Sequence, residues 1–430
     1  MKLSAQQQNT VNQLQHRQTA VIIAPTGAGK TATLLHTIMA KGGKWIVACP
    51  AKVVQVWPDE VIKWQLPLSV VSLIGTPEQR QEWLQVEADI YVVSLNNLEW
   101  LLNQNHSCNS ILIDELSKAC GKQTTGLKKK AQDKLVTRFG MTATPVSENF
   151  QNLYGMFRII DPSVLGTRKE SYMTRYFYPT DYKQYNWELK ANAADEIMRL
   201  ISPNLVTIDY DKVSSLPPKL EEEVVFTMPV ATRKVYDQMR EDMLLNEGEI
   251  IAANAAVLTS KLRQIASGFA LDVDGNPVQY DTARADAALS VIDSSGEQIV
   301  VIYEYDHQRA MLETLLEHND ISYISVYGGS DTTLDLFLSK RCRVLIAQQR
   351  TLSHGVDGLQ NVCHKLMFFQ PLWSADVTEQ AIGRVWRQGQ TRPVEIIYLI
   401  ADNTIDDLVI NRVDNKGKYM KLFMEHIKNG

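Results

Sequence analysis

The chain has 430 residues, of which 45% are hydrophobic and 22% are charged. This length exceeds one ordinary domain, and the apolar content excludes a chain that is disordered throughout. The net charge of −5 excludes binding to nucleic acid through overall charge, so any such contact needs a local basic surface. The sequence contains no run of about 18 apolar residues that could cross a membrane. Its first residues lack the apolar core of a signal peptide, so we expect a cytoplasmic protein.

The first part of the chain alternates short apolar runs with helical stretches. Each run is rich in Val, Ile or Leu and is short enough for a single strand. Strands that alternate with helices predict a parallel sheet covered on both faces. The predicted strands of this first lobe are 19–24, 45–49, 90–94, 111–113 and 137–141.

The pattern changes near residue 150. Between 151 and 264 it is mainly helical, as at 195–201 and 232–245, and one short strand at 222–228 interrupts it. We interpret this stretch as a helical insert that leads into a linker.

Strand and helix alternate again towards the end of the chain and predict a second α/β lobe. Its predicted strands are 299–303, 324–327, 344–346, 366–369 and 394–398, followed by a closing helix over 406–427. The predicted domains are therefore an N-terminal lobe at 1–160, a helical insert and linker at 161–280, and a C-terminal lobe at 281–430.

A glycine-rich loop follows the first predicted strand and precedes a helical pattern. Backbone N–H groups of such a loop converge on phosphate oxygens, and the helix N-terminus adds partial positive charge. Lys30 is placed to reach the β and γ phosphates, and the Thr31 hydroxyl to bind Mg²⁺. The alternative is an ordinary turn that happens to carry Gly-Lys-Thr. The segment consists of Ala24, Pro25, Thr26, Gly27, Ala28, Gly29, Lys30 and Thr31.

Two acidic residues end a later apolar run. Asp114 is expected to hold Mg²⁺ through water, and Glu115 to orient or deprotonate the attacking water. By itself, such a pair is more often a solvated strand end. Downstream of a phosphate-binding loop it indicates an ATPase, because that site needs a second magnesium ligand. The segment 140–145, at the end of the next strand, contains a hydroxyl-rich turn that is either placed near the γ-phosphate or an ordinary strand-to-turn segment.

The second lobe carries two arginines, Arg384 and Arg387, three residues apart. On a helix this spacing places both on one face. A pair of guanidinium groups suits a phosphate and predicts an arginine finger, which stabilises charge on the transferring phosphoryl group. A basic surface helix is the alternative for such a pair in isolation.

These blocks, in this order, resemble helicase superfamily two and, within it, the Swi/Snf-like DNA translocases. The resemblance extends over nearly the whole chain and is closest to the compact phage and prophage type, on the sequence Asp-Glu-Leu-Ser at 114–117. Further matching residues are Leu3 and Gln7, then Pro50, Trp57, Glu60 and Trp64, the linker at 216–219, and the segments 380–390 and 404–406.

The resemblance implies two RecA-like P-loop lobes of the α/β class, with ATP and Mg²⁺ as ligands. It makes Gln7 the adenine contact, and it adds Gln380 to Glu115, Arg384 and Arg387 as catalytic residues. The implied function is an ATP-dependent DNA translocase, a nucleic-acid-dependent ATPase that favours duplex DNA; a monomer is the favoured state, although the sequence leaves the oligomeric state open. A strand-separating DNA or RNA helicase, or a non-translocating ATP-switched clamp that loads replication or recombination proteins, remains an alternative.

Two further groups of residues bear on DNA contact. A basic run could follow a phosphate backbone or form a solvated surface. An aromatic cluster could stack on bases, but core packing is the favoured interpretation. The basic residues are Lys118, Lys122, Lys128, Lys129, Lys130 and Lys134, and the aromatic residues are Tyr172, Tyr176, Tyr178, Tyr182, Tyr185 and Trp187.

Overall fold

The computed structural model describes residues 2–24, 29–120, 135–143, 145–146, 150–180, 187–208, 216–245, 252–327, 334–352 and 358–410. These residues form two compact units, one within Met1–Ser214 and the other within Ser215–Asn415. Each unit contains its own parallel sheet flanked by helices, so the predicted α/β class is confirmed. Within the described ranges, no helix is both long enough and apolar enough to cross a membrane.

The first unit is built on a seven-stranded parallel sheet and a separate antiparallel pair, β7–β8. Its strands are β1 (Thr19–Ile23), β2 (Trp45–Cys49), β3 (Val70–Leu73), β4 (Ile90–Ser94), β5 (Ser110–Asp114), β6 (Thr137–Thr142), β7 (Phe177–Pro179), β8 (Trp187–Leu189) and β9 (Leu205–Thr207). The sheet order is β3-β4-β2-β5-β6-β1-β9. Val21 and Ile23 pack into the core on one face, and Ala20 and Ile22 into the core on the other. Burial on both faces explains why this strand is a continuous apolar run.

Helices cover both faces of the first sheet. They are α1 (Ala5–Leu14), α2 (Lys30–Lys41), α3 (Val56–Trp64), α4 (Pro77–Leu84), α5 (Leu98–Leu102), α6 (Gln151–Ile160), α7 (Pro162–Leu165), α8 (Lys169–Tyr176) and α9 (Ala193–Ile201). Side chains of α8 and α9, such as Met173 and Ile197, belong to the same core as Val21 of β1. This part of the predicted helical insert therefore packs into the first unit.

The aromatic cluster lies in that core where the structure describes it. The Tyr172 ring centroid is 5.4, 5.2 and 5.7 Å from those of Tyr154, Tyr176 and Phe177, and its hydroxyl donates to the Phe150 carbonyl at 2.7 Å. These rings are buried, which agrees with the packing interpretation. Tyr178, by contrast, is exposed, and Tyr182 and Tyr185 lie outside the described residues.

The second unit is built on a six-stranded parallel sheet and a separate antiparallel pair, β11–β12. Its strands are β10 (Lys219–Phe226), β11 (Phe269–Leu271), β12 (Pro277–Gln279), β13 (Ile299–Tyr303), β14 (Tyr323–Val326), β15 (Val344–Gln348), β16 (Lys365–Phe368) and β17 (Val394–Ala401). The sheet order is β10-β17-β16-β13-β15-β14. The strand predicted within the helical stretch is thus the edge strand β10, paired in parallel with β17 from Lys219–Val394 to Phe226–Ala401. An edge position suits its exposed glutamates.

The helices of the second unit include two that precede its central strands in the sequence. They are α10 (Val230–Leu245), α11 (Ala252–Ala266), α12 (Ala283–Ser295), α13 (Asp306–His318), α14 (Leu334–Leu338), α15 (Gln349–Leu352) and α16 (Ala375–Val385). Tyr236 of α10 and Ile265 of α11 pack in one cluster with Ile405, which follows β17. The predicted closing helix lies mostly outside the described residues.

A buried polar cluster attaches α11 to the second sheet. Arg284 and Asp406 form an ion pair with both side chains fully buried. The Asp406 carboxylate also accepts the backbone N–H of Ala401 at 3.2 Å and Nε2 of Gln370 at 3.1 Å. The Thr404 hydroxyl donates to the Ala401 carbonyl at 2.7 Å. Arg284 also donates to the carbonyls of Ala266, Phe369 and Leu399. The Thr-Ile-Asp segment at 404–406 therefore has a structural role, because it closes this cluster.

Candidate nucleotide site and arginine segment

The predicted nucleotide site lies at the carboxyl edge of the first sheet. In the strand order, β5, β6 and β1 are neighbours, and Asp114 pairs with Met141 while Ile23 pairs with Thr142. The backbone N–H of Ala24 donates to the Thr142 carbonyl at 3.1 Å. Parallel strands end at the same edge, which is where α/β proteins bind ligands. The structure thus brings the end of the first strand, the acidic pair and the hydroxyl-rich turn to one edge.

Gly29 is the N-cap residue of α2. Its φ of 67° lies in the left-handed region, and a Cβ built there would lie 2.3 Å from Nε2 of Gln7. The left-handed conformation therefore favours glycine, and any larger residue would also have to displace the end of the Gln7 side chain. Lys30 and Thr31 follow in the first turn of this 12-residue helix, where unpaired backbone N–H groups carry partial positive charge. Pro25, Thr26, Gly27 and Ala28 lie outside the described residues.

Gln7 is held at the start of α1 by a capping box. The Ser4 backbone N–H donates to Gln7 Oε1 at 2.8 Å, and the Gln7 N–H donates to Ser4 Oγ at 3.2 Å. The same side chain lies against Gly29. Gln7 thus connects the first turn of α1 to the start of α2. The Ser-x-x-Gln signature of this cap is visible in the sequence, whereas the contact with Gly29 is not.

Asp114 ends β5 and is buried, with 8% of its surface exposed. Burial raises the pKa of this carboxyl to about 6, and the Lys30 ammonium opposes that rise without cancelling it. A carboxylate that is buried with incomplete compensation is stabilised by an added cation. Asp114 and the Thr31 hydroxyl are also oxygen donors of the kind that Mg²⁺ prefers. These residues therefore fit a magnesium ion bound with a nucleotide.

Glu115 follows in a different environment, because its side chain is partly exposed. Its φ of 57° is a left-handed conformation that non-glycine residues seldom adopt, and its carbonyl accepts the Lys118 N–H at 2.8 Å. Backbone strain of this kind costs about 1 kcal/mol or more and clusters at functional sites. Two adjacent carboxylates in unlike environments are suited to different roles.

Ser117 connects the acidic segment to the end of β6. The Thr142 hydroxyl, buried at the end of β6, donates to Ser117 Oγ at 3.4 Å. Sequence reasoning placed both segments near the nucleotide but missed this hydrogen bond between them. It is a long, weak bond, and it gives the two segments a direct polar contact. Thr144, at the centre of the predicted turn, lies outside the described residues.

In the second unit, the predicted catalytic residues lie on α16 and on the turn that follows it. Gln380 is buried in the helix, and Arg384 lies in its last turn. The helix ends at Val385, and Trp386 has a non-helical ψ of 82°. The expectation that Arg384 and Arg387 share one helical face is therefore wrong. The tertiary contact at the end of the helix gives a physical reason, since the Trp386 indole donates to the carbonyl of Pro217 at 2.9 Å.

Gln390 fixes the turn that carries Arg387. Its Nε2 donates to the carbonyls of Cys363 at 2.9 Å and Val385 at 3.2 Å, and its own N–H donates to the Arg387 carbonyl at 3.0 Å. Gly389 adopts a φ of 102°, which favours glycine. The Gly-Gln end of the arginine motif thus positions the backbone of Arg387, a role that the spacing alone does not reveal.

The predicted basic run remains a prediction. Lys118 lies in the short helical segment that follows β5. The other lysines of the run lie in 121–134, outside the described residues.

Comparison with known proteins assigns the family. Residues 6–269 match the model of the SNF2-related domain, and the chain therefore belongs to this family. Protein p41 of Acyrthosiphon pisum secondary endosymbiont phage 1 is 27% identical, with 97% of each chain covered. An uncharacterized ATP-dependent helicase of Mycoplasma genitalium is 23% identical over 92% of this chain. The DNA repair and recombination protein RAD54-like of Gallus gallus is 23% identical over 91% of it.

The matched relatives differ in length. The chain spans 97% of the phage protein, but only 39% of the Mycoplasma helicase and 62% of the Gallus protein. Among solved structures, the Sulfolobus solfataricus SWI2/SNF2 ATPase core in complex with dsDNA is similar, with a TM-score of 0.46 and 20% identity. That match covers 100% of this chain and 94% of the other. The family match confirms the predicted family and enzyme class, a nucleic-acid-dependent ATPase.

Proposed function

We propose that the protein is an ATP-dependent translocase that moves along duplex DNA. The observation that carries this proposal is the edge of the first sheet where Asp114 lies buried with incomplete charge compensation near Lys30. Family membership supports ATP as the nucleotide. The names of relatives, which include a chromodomain-helicase-DNA-binding protein and a DNA repair protein, support DNA as the partner.

The first unit supplies the nucleotide-binding residues in this proposal. Lys30 and the first turn of α2 bind the phosphates, and Gln7 contacts the adenine base. Thr31 and Asp114 are the residues that would hold Mg²⁺. The ion supplies positive charge to the phosphate oxygens when it is bound. Glu115, which is partly exposed, accepts a proton from the attacking water or orients it. The residues proposed for the loop itself are Pro25, Thr26, Gly27, Ala28 and Gly29.

The second unit supplies Gln380, Arg384 and Arg387. The two arginines stabilise negative charge on the transferring phosphoryl group, and the segment ending at Gln390 holds Arg387 in place. Cycles of ATP binding and hydrolysis then alternate the grip of the two units on the DNA backbone. The alternatives, strand separation or a stationary clamp, share this chemistry and differ in what happens to the DNA.

The first test is steady-state ATP turnover with duplex DNA, single-stranded DNA or RNA as the activator. We expect duplex DNA to stimulate most, and Arg384→Ala and Arg387→Ala each to lower stimulated turnover by roughly a thousandfold or more. Arg392→Ala is the matched control, because Arg392 forms an exposed ion pair with Glu297 in the same region. Turnover of wild-type size in both finger variants would contradict the proposed mechanism.

The second test separates movement from its alternatives. A duplex that carries a labelled triplex-forming strand is incubated with the protein and ATP. Release of the third strand while the duplex stays intact supports translocation. Separation of the duplex strands identifies a helicase, and DNA-stimulated turnover with neither event identifies a stationary clamp.

A further inference from the structure

Arg263, near the end of α11, joins two loops that are distant from it in the sequence. Its Nη2 donates to the Pro371 carbonyl at 2.7 Å and lies 2.6 Å from the carboxylate of Glu304. The Arg263 side chain is only 5% exposed. Glu304 follows β13 and Pro371 follows β16, and these two strands are neighbours in the second sheet. One guanidinium therefore connects α11 to two adjacent loops at the carboxyl edge.

The loop that contains Pro371 leads directly into α16. Gln370 lies near the start of this loop, is buried, and donates to the carbonyl of Arg263 at 2.9 Å as well as to Asp406. Its Oε1 accepts from the Ser267 hydroxyl at 3.0 Å. Ser374 ends the loop and caps the first turn of α16 through its side chain. The start of α16 is thus held between the sheet and the end of α11.

A helix transmits the position of its first turn to its last. Helix α16 has 11 residues, which at 1.5 Å per residue makes it about 16 Å long. Arg384 lies in the last turn, so a small change in the direction of the helix axis displaces its guanidinium. A misplacement of about 1 Å at a reacting group can cost a hundredfold in rate. Contacts that fix the first turn of α16 therefore also affect the position of the Arg384 guanidinium.

We propose that Arg263 is a positioning residue of the ATPase, which holds the Pro371 carbonyl and Glu304 together and thereby sets the direction in which α16 leaves the sheet. The inference rests on the proposed role of Arg384. Apolar side chains often replace a buried ion pair without loss of stability, so net stability alone does not explain why an ion pair is present here, and the contacts of Arg263 with two loops are consistent with a positioning role. The pair between Arg309 and Glu313 offers a contrast, because both of its members lie on α13. The Arg309 guanidinium also lies over the ring of Tyr327, which follows β14 rather than β16.

Hydrogen exchange of the full chain tests the structural part of the inference. Arg263→Met keeps an unbranched apolar stem in place of the Arg263 methylene groups and removes both polar contacts of the guanidinium. We expect faster amide exchange at residues 371–385, with the strands of the second sheet unchanged. Arg263→Lys retains the charge beside Glu304 and should exchange at an intermediate rate. Arg309→Met is the matched control and should leave 371–385 unchanged. Exchange in 371–385 that is as slow in Arg263→Met as in the wild type overturns the inference.

Kinetics test whether Arg263 acts through Arg384. Arg263→Met should lower DNA-stimulated kcat by about tenfold to a hundredfold, while the KM for ATP stays within about twofold. Leu312→Ala, a core change on α13, should reduce thermal stability without this loss of kcat. In an Arg384→Ala background, Arg263→Met should add less than about a twofold loss, because two residues that act as one unit are not additive.

The two proposals fail in different ways. Losses that multiply in the double variant show that Arg263 does not act through Arg384, and they overturn the inference. Full turnover in Arg384→Ala alone overturns the proposed role of that arginine. In that case the exchange at 371–385 still decides whether Arg263 positions α16.

Discussion

Asp114 and Asp406 are both buried aspartates, one in each unit, and the protein treats their charges differently. Asp406 is fully buried, paired with Arg284, and accepts hydrogen bonds from the Ala401 N–H and from Gln370. Asp114 is nearly as buried, but burial prevails over the positive charge of Lys30 and raises its pKa to about 6. The carboxylate charge of Asp406 is therefore balanced by an ion pair and hydrogen bonds, whereas that of Asp114 is only partly balanced by Lys30.

We interpret this difference as one between a structural carboxylate and a carboxylate placed for the proposed function. A buried charge that the fold pairs and hydrogen-bonds holds segments together, and removal of its partner is costly. A buried acid with a perturbed pKa at a ligand-binding edge is typical of a functional site. Asp114 has this character, since a cation would supply the charge that Lys30 leaves uncompensated.

The largest effect is expected on turnover in Asp114→Asn. If Asp114 holds the metal as proposed, loss of its charge removes several kcal/mol of transition-state stabilisation, so ATP turnover should fall by about a thousandfold or more. Steady-state ATPase activity with duplex DNA measures this. Asp402→Asn, at a partly exposed aspartate paired with Arg233, is the control and should turn over ATP like the wild type. If Asp114→Asn retains turnover, Asp114 does not have the functional role proposed for it.

The next effect is on folding in Asp406→Asn. The substitution leaves the buried Arg284 without its counter-charge, which should lower the free energy of unfolding by about 3–5 kcal/mol. Urea denaturation of the full chain measures the loss. The same change at Asp402, whose pair with Arg233 is partly exposed, should cost less than about 1 kcal/mol. If both substitutions lower the free energy of unfolding equally, the buried ion pair stabilises the fold no more than the partly exposed one.

Whereas Asp406→Asn should lower the free energy of unfolding, Asp114→Asn should raise it at high pH. Because its folded pKa is raised, folded Asp114 holds its proton more tightly than the unfolded chain does, and this contribution to stability is lost as the pH rises from about 4 to about 6. At pH 8, Asp114→Asn should therefore stabilise the ligand-free protein by up to about 3 kcal/mol, and at pH 4 the two proteins should be equal. Denaturation at both pH values tests the sign. Destabilisation at pH 8 would show that Asp114 is structural, like Asp406.

The pH dependence of catalysis gives a smaller, independent readout. The ratio kcat/KM for ATP reports the ionisation of the free enzyme. It should fall about tenfold per pH unit below pH 6, because protonated Asp114 no longer attracts the metal ion. A profile that stays flat down to pH 5 would indicate that Asp114 is already ionised there.

The smallest effect concerns Gln7. Gln7→Ala should raise the KM for ATP severalfold and lower the preference for ATP over GTP. Loss of the capping box should also cost about 1 kcal/mol of stability. Gln8→Ala is the matched control, because Gln8 is exposed and bonds only to Asn12 among the contacts described for its side chain. If Gln7→Ala lowers stability but leaves the preference for ATP over GTP unchanged, Gln7 acts only as part of the capping box.

Much of the fold could be predicted because its signals are local. The run at 299–303 was placed at the bounds of β13, and those at 19–24 and 45–49 fell within a residue of β1 and β2. Strands buried on both faces are short, continuous apolar runs, and these are legible in the sequence. Other elements lack that signal. The edge strand β3 is only partly buried, and it was not predicted.

The residues of the candidate site could be predicted about as well as the strands. Gly29, Lys30, Asp114 and Glu115 stand out because phosphate and metal chemistry require those residue types next to strand ends. The role of Gln390 could not be predicted, since it depends on carbonyls of Cys363 and Val385 that only folding brings near it. The helical interpretation of the arginine pair failed for the same reason. A spacing of three predicts a shared face only while the helix continues, and α16 stops before Arg387.

The sequence by itself determined two α/β lobes, the order of the nucleotide motifs and the identity of the residues that can carry the chemistry. Tertiary structure decided which sheet β10 joins and which buried aspartate is neutralised. The physical reason is the range of the interactions. Periodicity and motif spacing report burial over a few residues, whereas Arg284 and Asp406 meet across 122 residues of chain. Whether a buried charge is structural or functional depends on such distant partners, and only the folded chain supplies them.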